Sequence, residues 1–135
     1  MNATEHARRA YAGNRAPIRT DRGSEYEAFA KVTQKLQAAL VNSGQEMADA
    51  SKKIHLKAQT AEAVDLNRRL WSLLAVDVLS DDNLLPEPTR ASILSLNEFT
   101  RAHSRKVLNG EAEIRPLIEI NAAIMRGLSQ GRTEP

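Results

Sequence analysis

The sequence predicts an all-α fold, a small up-and-down helical bundle behind a flexible N-terminal arm, and three observations predict it. Ala, Leu, Glu, Gln, Lys and Arg, which favour helices, dominate from Ser24 onward, while runs of Val, Ile, Thr and aromatics are missing. Apolar residues make up 41% of the chain but aromatic ones only 4%, so aliphatic side chains must fill the core, which suits helix packing better than a β-sandwich. Apolar positions recur at spacings of three and four in several separate stretches, as one buried face per helix requires. A length of 135 residues fits one domain, taken as 24–130, with residues 1–23 as the arm.

The arm contains Gly13, Pro17 and Gly23, little apolar material and scattered arginines, a composition that cannot repay the entropy of ordering unless it docks on something. Tyr11 and Ile18 are its two candidates for docking, on the domain or on a partner. Arg8, Arg9, Arg15, Arg19 and Arg22 outnumber Glu5 and Asp21, so the arm holds the excess positive charge of a chain whose net charge is only +2.

Ser24-Glu25-Tyr26-Glu27 reads as a capping box opening the first helix, with Phe29, Val32, Leu36 and Leu40 on one face and Asn42-Ser43-Gly44 as its stop. A second helical pattern runs from Glu46 to Leu79, as one long helix or two. Its apolar positions are Met47, Ile54, Ala58, Ala61, Leu66, Leu70, Leu73 and Leu74, and the strongest packing is expected from Ala63 to Val78. Ser80-Asp81-Asp82-Asn83 forms a turn, and the two prolines of Leu84-Leu85-Pro86-Glu87-Pro88 hold an extended connector. From Pro88 the pattern Ile93, Leu96, Asn97, Thr100, Val107 and Leu108 is again helical, and Asn109-Gly110 supplies a left-handed stop. The last helix starts at Glu111 or Ile114 and runs to Leu128, with Ile114, Leu117, Ile118, Asn121, Ile124, Met125 and Leu128 as the cleanest stripe in the chain; Gly127 and Gly131 mark its end.

Few residues carry chemistry. With no cysteine there is neither disulfide nor thiolate metal site, and His6, His55 and His103 show no i, i+3 or i, i+4 pairing, so no metal is expected. Asp77, Asp81 and Asp82 read as cap and turn residues without EF-hand spacing. No nucleophile motif and no Gly-rich phosphate loop is present, so neither an enzyme nor a bound cofactor is expected. The longest apolar stretch, Leu70 to Val76, is far short of a membrane span, and no secretion signal opens the sequence, so the expected location is cytoplasmic. Arg68-Arg69 and Arg101 with Arg105-Lys106 read as a solvated face or as salt-bridge partners. A direct RNA contact, most simply through the arm, is the weaker alternative because aromatic platforms are missing.

Two stretches mix apolar and polar residues unusually: Asn67-Arg68-Arg69-Leu70-Trp71 and Leu117-Ile118-Glu119-Ile120-Asn121. Trp71, the single tryptophan, most simply plugs the core. Asn67 and Asn121 lie on or beside apolar stripes and need hydrogen bonds, from each other or from a partner's backbone.

These stretches belong to four ordered blocks in which the chain, from Ala10 to Leu128, resembles the FlaF family of flagellar regulators. The blocks are Leu66-Asn67-Arg68-Arg69-Leu70-Trp71 followed by Asp77; Asn83-Leu84-Leu85-Pro86 with Arg90-Ala91; Asn109-Gly110-Glu111-Ala112; and Leu117-Ile118-Glu119-Ile120-Asn121 ending in Gly127-Leu128. Phe99 departs mildly, standing near a position where Trp or a similar residue is expected. The resemblance implies a flagellin-binding, chaperone-like factor that supports flagellin synthesis and export and is linked to post-transcriptional control. Its implied partner is flagellin through the terminal helices; the alternatives are RNA-linked regulation or service as an adaptor to another flagellin regulator. The expected groove or its floor comprises Leu70, Trp71, Leu117, Ile118, Ile120 and Met125, with Arg68, Arg69 and Glu119 as polar rim and Asn67 and Asn121 beside it.

Overall fold

A computed structural model describes residues 21–43 and 50–133, and these form four α-helices with no strand among the described residues. They are α1 (Asp21–Ser43), α2 (Ala50–Val78), α3 (Glu87–Leu108) and α4 (Arg115–Thr133). The expected arm lies outside the described residues up to position 20, as does Met47.

Each helix runs antiparallel to the one before it. On α1 and α2, Asn42 meets Gln59 and Phe29 meets Trp71, so one numbering falls as the other rises. The core divides into two ends. Leu36, Ala39, Ala63, Val64, Val107, Ile114 and Leu117 fill one. Phe29, Trp71, Leu74, Val78 and Ile93 fill the other, where the Phe29 and Trp71 rings meet edge to face at 5.5 Å between centroids. Burying such side chains stabilises the fold by about 1.5–3 kcal/mol each, so these two clusters carry most of the packing.

The expected all-α bundle is what forms, with three adjustments. Helix α1 begins at Asp21, one turn before the expected capping box, so Gly23 does not break it. Helix α2 is one helix whose buried residues all fall between Ala63 and Val78, yet its core stripe is rotated from the expected one. Ala63, Val64, Asn67, Trp71, Leu74, Ala75 and Val78 face inward, while Ala58 and Ala61 are exposed and Ile54 is 69% exposed. The cause is Asn67: following leucines alone turns the stripe toward Leu66, Leu70 and Leu73, but the buried face is centred on an amide. Helix α4 continues through Gly127 and Gly131 to Thr133, because glycine weakens a helix interior by only about 1 kcal/mol and the next proline in the sequence, Pro135, comes only after Thr133.

The connectors are built by the residues that announce them. Asn83 clamps the α2–α3 turn twice: its amide donates to the buried Asp77 carboxylate at 3.3 Å, and its carbonyl oxygen accepts the Leu85 N–H at 3.0 Å. Pro86 caps α3 and accepts the Arg90 N–H through its carbonyl, with Pro88 in the first turn where its missing donor does no harm. At the other end of α3, Gly110 takes φ +76°, its N–H donating to the Val107 carbonyl while the Glu111 N–H donates to that of Lys106 at 2.7 Å. That pair of bonds is a Schellman closure, which needs a left-handed residue at the glycine position.

An added Cβ at Gly110 meets nothing within 4 Å, so the effect of Gly110→Ala isolates backbone strain. The expected loss is about 1–2 kcal/mol in urea denaturation, with Gly110→Asn losing less because Asn tolerates that region. Equal stability of Gly110→Ala and the wild type would contradict the closure described above.

Candidate functional site

Between the two apolar ends lies a buried polar layer to which every helix contributes. Thr33 comes from α1, Asn67 from α2, Asn97, Thr100 and Ser104 from α3, and Asn121 from α4; Asn67, Thr100, Ser104 and Asn121 are 0% exposed. Asn121 organises it. Its amide donates to the Asn67 carbonyl oxygen at 2.7 Å and to the Thr33 hydroxyl at 3.1 Å, and its own carbonyl oxygen accepts the Trp71 indole N–H at 2.9 Å. One side chain thereby satisfies both amide hydrogens and an oxygen while tying α4 to α1 and α2. Of the two alternatives for Asn67 and Asn121, the structure takes the first: they bond each other.

Trp71 is fully buried, as the core reading of a lone tryptophan expects, and Leu117 is fully buried at the other end. The remaining candidates scatter. Ile118 packs against the cluster of Leu36, Val64 and Leu117; Leu70, Ile120 and Met125 are partly buried against the Trp71 cluster. Arg69 pairs with Asp65 on its own helix at 3.0 Å, 74% exposed, Arg68 is half-buried and Glu119 is exposed. The structure therefore gathers Asn67, Trp71 and Asn121 into one interior cluster and does not bring the expected groove residues onto one accessible surface.

An accessible apolar surface exists elsewhere. Helix α1 packs closely on α2 and α4, and α2 on α3, whereas the α3 and α4 backbones approach each other at few points, so this is the most widely spaced of the four neighbouring pairs. His103 identifies the flank of α3 that turns toward α4, since its Nε2 lies 2.7 Å from the carbonyl oxygen of Glu113, just before α4 begins. Leu96 and Phe99 share that flank at helical spacing, and the Phe99 ring, 46% exposed, stacks on His103 at 5.3 Å. Following Glu113, the residues of α4 at matching spacing are Leu117, Ile120 and Ile124, with Ile120 and Ile124 half-buried. Leu96 stands in the sequence-derived stripe, but Phe99 escaped as a site residue because it falls outside it; a large apolar residue one step off a helical stripe is the available signal.

Among the described residues no group of His, Asp or Glu could hold a metal ion, and no helix is long and apolar enough to cross a membrane.

The family model described as flagellar protein FlaF matches residues 7–128, nearly the whole chain. No curated protein and no solved structure matches it.

Replacing Asn121 by Leu keeps the four side-chain heavy atoms and the branch point but strands the Trp71 N–H, the Asn67 carbonyl oxygen and the Thr33 hydroxyl. Each buried orphan costs about 1–3 kcal/mol, so the expected destabilisation is about 3 kcal/mol or more. Trp71, as the single tryptophan, reports the change by itself: urea unfolding followed by its fluorescence should show the lower midpoint. A midpoint equal to wild type would remove Asn121 from the centre of the layer.

Proposed function

The chain belongs to the FlaF family of flagellar proteins, and we propose that it works in flagellum biogenesis by binding unassembled flagellin and supporting its synthesis and export. The reading is of a binding protein, acting in the cytoplasm without cofactor or catalysis. The observation that carries it is the widely spaced pair α3 and α4, where Leu96, Ile120 and Ile124 are only partly buried and Phe99 is 46% exposed.

An amphipathic helix fits such a seam. Two flanking helices present apolar side chains at i, i+3 and i+4 spacing, and a third laid between them buries its own stripe against both, the usual mode of helix-in-groove recognition. The terminal helices of unassembled flagellin are the proposed occupant, and covering their apolar faces holds the subunit back from premature polymerisation. Within this reading Trp71 and Leu117 act as the floor beneath the seam, Ile120 as a direct contact, and Asn67 and Asn121 as the frame that holds the floor in place. Leu70, Ile118 and Met125 support from the neighbouring flanks, and Arg68, Arg69 and Glu119 remain outer polar positions. Phe99 joins the set as the most exposed apolar residue of the seam.

Co-purification with full-length flagellin and with flagellin lacking its terminal helices, at moderate salt, tests the partner. Stoichiometric capture of the first alone is the expected outcome; capture of neither would favour an adaptor or RNA-linked regulator, whose phosphate contacts would show as a steep loss between low and moderate salt. For the seam, Phe99→Asp and Ile120→Asp are each expected to weaken binding about tenfold or more, the scale of losing one well-placed apolar contact. Circular dichroism checks that both variants stay folded. Wild-type affinity in both would place the flagellin surface elsewhere on the bundle.

A further inference from the structure

Asn109-Gly110 is the one Asn-Gly step in the chain. Such a step is the asparagine context most open to self-modification, because glycine carries no Cβ to keep its amide nitrogen away from the side-chain carbon before it. The reaction needs only water. The Gly110 amide gives up its proton, its nitrogen attacks Cγ of Asn109, and the Cγ–Nδ2 bond breaks as ammonia leaves, which closes a cyclic imide. Water then opens that ring at either carbonyl. Cleavage of the new N–Cγ bond leaves an aspartate, and cleavage of the original peptide bond leaves an isoaspartyl linkage, in which the main chain runs through Cβ and Cγ.

In the folded chain this step is exposed to water yet held. Asn109 and Gly110 both lie at the surface, and a Cβ at Gly110 would meet nothing within 4 Å, so neither burial nor crowding shields the pair. Two features of the closure at the end of α3 do. The Gly110 N–H, whose proton must leave, donates to the Val107 carbonyl at 3.0 Å. Asn109 stands at φ −87° and ψ 0°, which places the Gly110 nitrogen on the side of Asn109's own amide nitrogen, rotated well away from the Cα–Cβ bond with which it must align. Bringing it into line turns the peptide plane, which breaks the bond to Val107 and, with it, the closure bond from the Glu111 N–H to the Lys106 carbonyl at 2.7 Å.

We propose that Asn109 is a deamidation site gated by this closure, protected while the α3–α4 connector is shut and modified when it opens. One motion lifts both restraints, because the rotation that frees the Gly110 proton also carries its nitrogen onto Cγ. Helix ends open locally at far lower free energy than the whole domain unfolds, so the reactive geometry is reached while the bundle stays folded. The change runs one way. An isoaspartyl linkage inserts an extra main-chain atom between Asn109 Cα and the Gly110 nitrogen, within the span that both closure bonds bridge, so the two cannot re-form together. An aspartate keeps the main chain but adds negative charge at the negative end of the α3 dipole, where Arg105 and Lys106 in the last turn partly offset it.

Peptide mapping by mass spectrometry tests this on the full chain, incubated at neutral pH either folded or in urea, by following the deamidated fraction at position 109. Deamidation is expected to be about tenfold or more slower in the folded chain, the protection given by a connector that is open a tenth of the time or less. Equal rates would overturn the proposal. Glu111→Pro separates the closure from the fold as a whole, since proline removes the donor of one closure bond and restricts the backbone of Gly110 before it. Folded by circular dichroism, this variant is expected to deamidate at position 109 several-fold faster than folded wild type; a rate as slow as wild type would overturn the assignment of protection to the closure. Should the variant fail to fold, amide hydrogen exchange in the wild type decides. Slowed exchange at Gly110 supports the gate, and exchange there at the unfolded rate overturns it.

Discussion

The fold depends on one side-chain amide. Asn121 sits at the midpoint of the bundle, fully enclosed, and holds Asn67, Thr33 and Trp71 at 2.7, 3.1 and 2.9 Å. Apolar stripes alone leave helix register loosely specified, because Leu and Ile pack nearly as well after a shift of one turn. An amide that must find two acceptors and a donor on two other helices permits one register only, since any slide buries its hydrogens unpaired. The Phe29 and Trp71 contact is tied to the same amide: the indole N–H is held by Asn121, which fixes the orientation of the ring that meets Phe29 near-perpendicularly. From that point the two apolar ends follow as the places where four stripes, once in register, overlap.

This constraint also explains what was legible in the sequence. Helix order and the breaks on either side of α3 were readable because each is set by local chemistry: Asn83 with the prolines, and Asn109-Gly110, act within a few residues of where they stand, whereas Glu46 to Leu79 was left open as one helix or two. Burial of Trp71 and pairing of Asn67 with Asn121 were readable as needs, since a polar side chain in an apolar stripe must be satisfied. That Thr33 and the Trp71 indole complete the bonds of Asn121 was not. Thr33 is a common residue with no local signal, and only the approach of α4, 88 residues away, gives its hydroxyl a role. The phase of α2 was misjudged for a related reason. Leucines marked the face, whereas the tertiary layer is centred on Asn67, so Leu66, Leu70 and Leu73 shifted to the flank.

The blocks that carry the family resemblance turn out to be mostly architecture. Asn67 and Trp71 in the first block and Asn121 in the last form the central hydrogen-bonded cluster. Asp77, Asn83 and Pro86 build the α2–α3 connector, and Gly110 closes α3. Each of these roles demands a particular residue type: an amide with two hydrogens, an indole with one, a carboxylate that accepts, a glycine at positive φ. A surface that buries an amphipathic helix makes weaker demands, because many apolar side chains of similar size serve. Of the proposed seam, Phe99 and Ile124 fall outside those blocks and Ile120 within one, and a reading guided by the blocks alone leads to the interior of the bundle.

The asymmetry among the helices links frame to surface. Direct hydrogen bonds across the polar layer join α1, α2 and α4, so separating any of them strands donors and acceptors in an apolar interior. No such bond reaches α3; it is held by the burial of Ile93 and Val107, by the Asp77–Asn83 clamp at its start, and by the His103 contact with the Glu113 carbonyl near its end. Apolar contacts lose energy gradually as surfaces part, whereas a buried hydrogen bond loses it within a fraction of an ångström. Helix α3 is therefore the element on which small displacements cost least, and it is also one wall of the seam. A groove with one rigid wall, α4, and one compliant wall, α3, can adjust its width to the side chains of an incoming helix without disturbing the amide cluster that keeps the rest of the bundle in register.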